Sequence, residues 1–299
     1  MPNWNDVLTE IGATGSAFDV VRRKYLQRLS DVTGRNVIIY YSGWLQKPGV
    51  PGIDINDGDK VGFMTTINGL DRSKGLDLVL HTPGGEMAAT ESIVDYLRKM
   101  FDTDIRAVVP QLAMSAGTMV ACACKSVIMG KQSSLGPIDP QQGGLAAHGV
   151  LEEFKTAHTE IRADPTRIPV WQPIIANYSP TLIGECQKAI AWAERIVRAW
   201  LSSGMFANDP DRDTKIARIM RELGEHALTL SHARHLPVDK CIDMGLVVEA
   251  LESSQPLQDA VLSLHHACIH TLAGTNAYKI IENQNGVAHI QQVRVTITR

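Results

Sequence analysis

The 299-residue chain predicts an α/β fold, and three observations carry that reading. LDLVLH (76–81), DIRAVVP (104–110) and KSVIMG (125–130) are short, mostly apolar runs, the mark of strands buried on both faces. The stretches between them are helical: MAATESIVDYLRKMF (87–101) places Ile93, Tyr96, Leu97 and Met100 at the helical period, and QLAMSAGTMVACAC (111–124) is built of small residues. Strand, turn, helix, strand, helix, strand is a βαβ succession, which implies a parallel sheet with right-handed crossovers.

The remaining elements follow in order. Residues 17–33 carry Val20, Val21, Tyr25, Leu26 and Leu29 as a helical stripe, with Ser16 as its cap. NVIIYYS (36–42) is β-branched and aromatic, a strand by composition. GWLQKPGVPGIDINDGD (43–59) is rich in Gly, Pro and Asp and predicts a loop bordering a cleft, after which DKVGFMTTINGL begins a short helix. Beyond SSLGPIDPQQGG the chain turns helical in GVLEEFKTAHTEI, PTLIGECQKAIAWAERIVRAWLSS and DTKIARIMRELGEHAL, then in VDKCIDMG, which Gly245 stops. From about residue 255 a helix and two strand-like runs around an NQNG turn are expected. The organisation read from this is a main domain over 1–250 and an extension over 251–299, an accessory element or oligomer contact.

Composition narrows the function. The chain is 44% hydrophobic and 20% charged, ordinary for a globular protein. A net charge of −3 argues against a nucleic-acid surface. Five cysteines form no CxxC pair, Cys122 and Cys124 lie in an apolar stretch, and reduced thiols in a reducing compartment fit best. No secretory leader pattern and no run of about 18 apolar residues is found, so the expectation is a cytoplasmic chain without a membrane span.

Two motifs carry chemistry. HTPGGE ends the first buried strand and AMSAG follows the second, about thirty residues on, the spacing a βαβ unit requires. Ligands gather at the carboxyl ends of parallel strands, so both motifs are expected at one crevice. Gly84 and Gly85 let the backbone turn sharply and expose amides. The Gly85 amide and the Ala116 amide, at a helix start, would form a two-donor oxyanion hole beside the Ser115 hydroxyl.

LVLHTPGGE, AMSAGTMVACAC and SSLGPIDPQ together resemble the signature of the ClpP/crotonase-like superfamily. More narrowly the chain resembles the serine dehydrogenase proteinase family, related to signal-peptide peptidase A and NfeD-type proteases, over about residues 35–250. HARHLPVDKCIDMGLVV is similar to that family's closing helix and strand. The resemblance implies a ClpP/crotonase-like core of stacked βαβ units, with additional C-terminal helices and a small terminal hairpin. It also implies a serine endopeptidase of ClpP or signal-peptide-peptidase type, without metal or organic cofactor, acting on a peptide or protein substrate as a homo-oligomer. Any regulatory or unfoldase partner would be a separate chain. Ser115 matches the nucleophile, and Gly85 and Ala116 match the oxyanion donors.

The base is chosen by the same resemblance. ClpP carries a histidine one strand after its nucleophile, in a stretch similar to QSSLGPIDPQQGG; here that stretch holds Ile138 and Asp139. The signal-peptide-peptidase and NfeD relatives use a Ser-Lys dyad, and Lys155 lies at about the matching interval. A lysine serves as base only if apolar burial lowers its pKa from about 10.4, so Leu151, Phe154 and sheet residues are expected to enclose its amine. A solvated Lys155 on an amphipathic helix is the competing expectation. His148 and His158 are alternative bases.

Asp139, before a proline, either orients a base or closes a turn, with the turn favoured, and His81 fits a local hydrogen bond. His266 and His270, with Cys268 between them, lack the glutamate and third ligand of a zinc site and read as scattered histidines, as do His226, His232 and His235. Rival functions are a crotonase-type acyl-CoA enzyme, whose carboxylate bases do not need Ser115, and a non-catalytic assembly module.

Overall fold

The computed structural model describes residues 4–13, 18–224 and 231–293. Helices α1 (Trp4–Ala13) and α2 (Phe18–Thr33) lead into β1 (Asn36–Ser42), α3 (Asp59–Ile67), β2 (Leu76–His81), α4 (Met87–Phe101) and β3 (Ile105–Val109). A two-residue strand, β4 (Leu112–Ala113), precedes α5 (Ala116–Cys122), β5 (Ser126–Met129) and a second short strand, β6 (Ser134–Leu135). The hairpin β7 (Gln141–Gln142) and β8 (Leu145–Ala146) opens onto α6 (Ala147–Ala163), α7 (Ile168–Ile175), α8 (Leu182–Ser203) and α9 (Arg212–Gly224). The chain closes with β9 (Leu236–Pro237), α10 (Val238–Met244), β10 (Val248–Ala250), α11 (Gln255–Gly274), β11 (Ala277–Asn283) and β12 (Ala288–Gln292). The expected cap Ser16, residues 225–228 of the predicted helix, and His226 lie outside the described residues.

The predicted α/β class is the observed one. Among the described residues seven strands form one sheet in the order β10-β5-β3-β2-β1-β11-β12, with the five from β10 to β1 parallel and β11 and β12 antiparallel. Its central strands are mostly apolar because both faces are covered. Ile38, Tyr40, Leu78, Leu80 and Ala107 face a core shared with α3, α4, α5 and α8, while Val37, Ile39, Tyr41, Val79 and Val108 face α2 and α11. The C-terminal segment is part of this sheet, since β11 pairs with β1 from Ile38↔Asn283 to Ser42↔Lys279. A boundary at 250/251 therefore divides one sheet, because α11 is needed to cover the second face of β1. Among the described residues no helix is long and apolar enough to cross a membrane.

Charge is buried in specific places. Asp77, fully buried on β2, is held by Arg35 Nε and Arg106 Nη2, each at 2.8 Å. Arg22 Nε reaches Glu282 at 2.6 Å with neither side chain exposed, tying α2 to β11. Removing one partner of such a pair strands a charge away from water.

His81 differs, because both ring nitrogens are buried without a partner. It packs against Trp44, His265 and Tyr41, at 4.4, 5.3 and 5.4 Å between ring centres. Burial holds its pKa down at about 3 and holds that of His265 well below the ordinary histidine range. Both rings are thus neutral in the fold, yet the unfolded chain protonates them below about pH 6.5. The stability they allow is intact above that value and is lost as pH falls toward 3. The expected slope is about 1.4 kcal/mol per pH unit for each histidine. Urea unfolding at pH 7, 6 and 5 should show this decline, and His81→Phe should flatten it by up to about 1.4 kcal/mol per pH unit; equal slopes would exclude His81 as a source.

Candidate active site

Short-strand pairing assembles the site. Beyond β2, Thr82 N donates to Leu112 O at 3.1 Å and Met114 N donates to Thr82 O at 3.0 Å, which brings the chain after β3 alongside the chain after β2. Gly84 and Ser115 are thereby neighbours. A Cβ on Gly84 would stand 2.6 Å from Ser115 Cβ and 2.9 Å from Ala116 N, and Gly84 has φ +103°. Only glycine combines that approach with that backbone. Gly117, whose Cβ would meet Thr82 Cγ2 at 2.5 Å, lets α5 start close to the same turn.

Ser115 itself is strained, with φ 50° and ψ −116° at the residue before α5. A non-glycine residue at positive φ costs of order 1–3 kcal/mol and marks an over-determined position. The sharp strand-to-helix turn resembles a nucleophile elbow. Gly117 N closes it onto Met114 O at 2.7 Å, and Thr118 Oγ1 donates to Ala113 O at 2.8 Å and accepts from Gly136 N at 2.9 Å.

Gly85 is fixed by a parallel bridge to Ile55, in which Ile55 N donates to Gly84 O and Glu86 N donates to Ile55 O, both at 2.8 Å. That pattern uses the Gly84 carbonyl and the Glu86 N–H and leaves the Gly85 N–H directed away from Ile55. Neither the Gly85 nor the Ala116 amide donates to another described residue.

A cleft of about 1080 Å³ is lined by Ser115, Gly85, Ala116, Asp139 and His232, with Met87, Met119, Ile138, Ala189 and Trp192 as its apolar wall. Within it His232 Nδ1 lies 2.8 Å from Asp139 Oδ1. The Asp139 side chain is fully buried and that of His232 is 29% exposed. Gln141 Nε2 donates to the other Asp139 oxygen at 3.3 Å. With Nδ1 engaged, Nε2 is the histidine nitrogen left for a proton donor in the cleft.

The convergence has a simple topological cause. β4 runs parallel to β6, with Ala113 opposite Leu135, and β9 runs antiparallel to β6, with Leu236 opposite Leu135. Ser115 follows β4, Asp139 follows β6 by four residues, and His232 precedes β9 by four residues. All three therefore leave the small sheet at one end.

The other candidate bases stand elsewhere. Lys155 is exposed on α6 and does not line this cleft. The inward stripe of α6 runs through Ala147, Val150, Phe154 and Ala157. Lys155 is one residue past Phe154, about 100° around the helix, so the expected apolar enclosure does not form. His158 is exposed on the same helix, and His148 faces a neighbouring pocket between α8 and α9 that shares only Ile138 and Pro140 with the cleft. His266 and His270 pack on Trp4, with ring centres 5.6 and 3.8 Å away. Among the described residues no cluster of three or more His, Cys, Asp or Glu side chains could hold a metal.

His232 is the residue that sequence reasoning passed over. Its signal lay in HARHLPV, within the stretch already recognised as similar to the family's closing helix and strand. For Asp139 the sequence offers both an orienting role and a turn, and the proline after it favours the turn.

Comparison with known proteins agrees with this architecture. The chain is 28% identical over 225 residues to the uncharacterized protein MJ0137 of Methanocaldococcus jannaschii, covering 74% of this chain and 73% of that protein. It is 29% identical over 196 residues to the uncharacterized protein MJ1495 of the same organism, covering 66% of this chain and 59% of that one. A family model for ClpP-like SDH-type serine proteinases matches residues 15–252. Spanning the elbow, the glycine turn and the cleft, that match means that the chain belongs to the ClpP-like SDH-type serine proteinase family.

Proposed function

We propose that the protein is a serine peptidase in which Ser115 is the nucleophile, His232 its general base and Asp139 the group that orients His232. The amides of Gly85 and Ala116 form the oxyanion hole. The observation that carries this reading is the 2.8 Å contact between His232 and buried Asp139 in the cleft that also holds strained Ser115. The order Ser, Asp, His along the chain is one of several in which such a set occurs on unrelated folds.

The cycle follows from those positions. His232 Nε2 takes the Ser115 hydroxyl proton as Oγ bonds to the substrate carbonyl carbon. The carbonyl π electrons move onto oxygen, where the two amides hold the negative charge. Collapse of this intermediate expels the amine, which leaves with the proton from His232. Water then attacks the acyl-enzyme, gives its proton to His232, and the returning proton restores Ser115. Asp139 favours the tautomer with hydrogen on Nδ1 and stabilises the imidazolium between the two transfers.

A tetramethylrhodamine fluorophosphonate tests the nucleophile. It is expected to label the folded wild type at Ser115, located by peptide mass spectrometry, and to leave Ser115→Ala unlabelled. Folded wild type that resists the probe, or label that persists in Ser115→Ala, overturns the reading in favour of an assembly module or an acyl-CoA enzyme.

A further inference from the structure

We propose that Lys279, on β11, is a positioning residue for the oxyanion loop, holding residues 54–56 against the Gly84–Gly85 turn. The inference rests on the peptidase reading above and concerns a residue outside the family match, which ends at 252.

The Lys279 amine is fully buried and donates to Asp54 O at 2.7 Å, and to Asp59 Oδ1 and Oδ2 at 2.8 and 3.0 Å. Asp59 Oδ2 in turn accepts from Asn56 N at 3.0 Å and from Tyr40 Oη at 2.7 Å. The lysine thus holds the residue before Ile55 directly and the residue after it through Asp59. Ile55 holds Gly84 and Glu86, the residues on either side of Gly85. Two successive brackets therefore run from β11 to the amide proposed to receive the oxyanion.

The alternative, that this ion pair serves stability alone, meets a physical objection. Desolvating both charges offsets most of their attraction, and apolar replacements of similar volume stabilise as well or better. What the pair supplies that apolar groups do not is directional hydrogen bonding to a backbone carbonyl and a backbone amide. Ser42 Oγ donates to Ile53 O at 2.7 Å and the exposed Asn56 Nδ2 to Asp54 O at 2.8 Å, and to these the Lys279 and Asp59 bonds add a buried, charged hold on both sides of Ile55. An oxyanion donor must sit within a few tenths of an ångström of its place, and misplacement by about 1 Å can cost about a hundredfold in rate.

The fluorophosphonate separates position from folding, since its final labelled fraction reports folded sites and its rate constant reports their geometry. In Lys279→Met the rate constant is expected to fall by about tenfold to a hundredfold, whatever the labelled fraction. Lys279→Met strands a buried carboxylate, so Lys279→Met/Asp59→Asn, which removes both charges, is measured beside it. The same slow labelling is expected, because the Asp54 carbonyl has still lost its buried donor and keeps only the exposed Asn56 Nδ2 at 2.8 Å. A wild-type rate constant in either variant overturns the proposal, even if the labelled fraction is reduced. An unlabelled wild type would instead overturn the peptidase reading itself, so the two failures are distinct.

Discussion

His232→Gln is expected to lower hydrolysis of fluorescein-labelled casein by about 10⁴-fold, with the fold and thermal midpoint little changed. The substitution keeps a polar side chain of similar reach but removes the group that accepts the Ser115 proton. Asp139→Asn should cost about 10³–10⁴-fold, because an amide at 2.8 Å from Nδ1 no longer favours the productive tautomer. The losses should not add in the double variant, since both residues serve one proton transfer. Lys155→Ala, on the exposed face of α6, is expected to stay within about twofold of the wild type, as surface changes remote from a site do. The reverse pattern, with His232→Gln active and Lys155→Ala dead, would sink the triad and restore the dyad.

Gly85→Ala should also be strongly damaging, by a different route. A Cβ there would lie 2.3 Å from both Ile55 N and Ile55 O and 2.8 Å from Ile55 Cα, at φ +155°. All three are backbone atoms, so no side chain can swing aside, and the Ile55 bridge must break. The Gly85 amide is then carried out of place. Loss of one oxyanion donor costs about 10²–10³-fold in kcat with little change in KM. Gly184→Ala is the control, because a Cβ on Gly184 meets nothing within 4 Å and the residue lies inside α8. Casein hydrolysis and thermal unfolding of both variants decide the matter; a Gly85→Ala enzyme within threefold of wild type would rule the Gly85 amide out as a donor.

These two predictions differ in how far the sequence foretold them. The glycine turn and the serine elbow were legible because each is a local pattern at the end of an apolar strand, and strand burial is written in consecutive residues. Gly84 and Gly85 also announce themselves chemically, as backbone that must turn where a side chain cannot fit. Lys155 shows the opposite case. Family resemblance singled it out as a base, but helical phase decided that it faces solvent, and one residue of phase is worth about 100°.

By itself the sequence determined the fold class, the parallel order of the central βαβ units, and the meeting of HTPGGE and AMSAG at one crevice. Each follows from local sterics, from periodicity, and from the requirement that buried strands be covered on both faces. Only the tertiary structure decided which histidine lines that crevice and what holds the Ile55 loop beside the glycine turn. His232 reaches Asp139 because β9 pairs antiparallel with β6 across about a hundred residues of chain, and Lys279 reaches Asp54 because β11 joins β1. Such pairings are fixed by backbone hydrogen bonds between segments whose sequences carry no record of each other, so a loop histidine and a strand lysine look like any others until the sheet is closed.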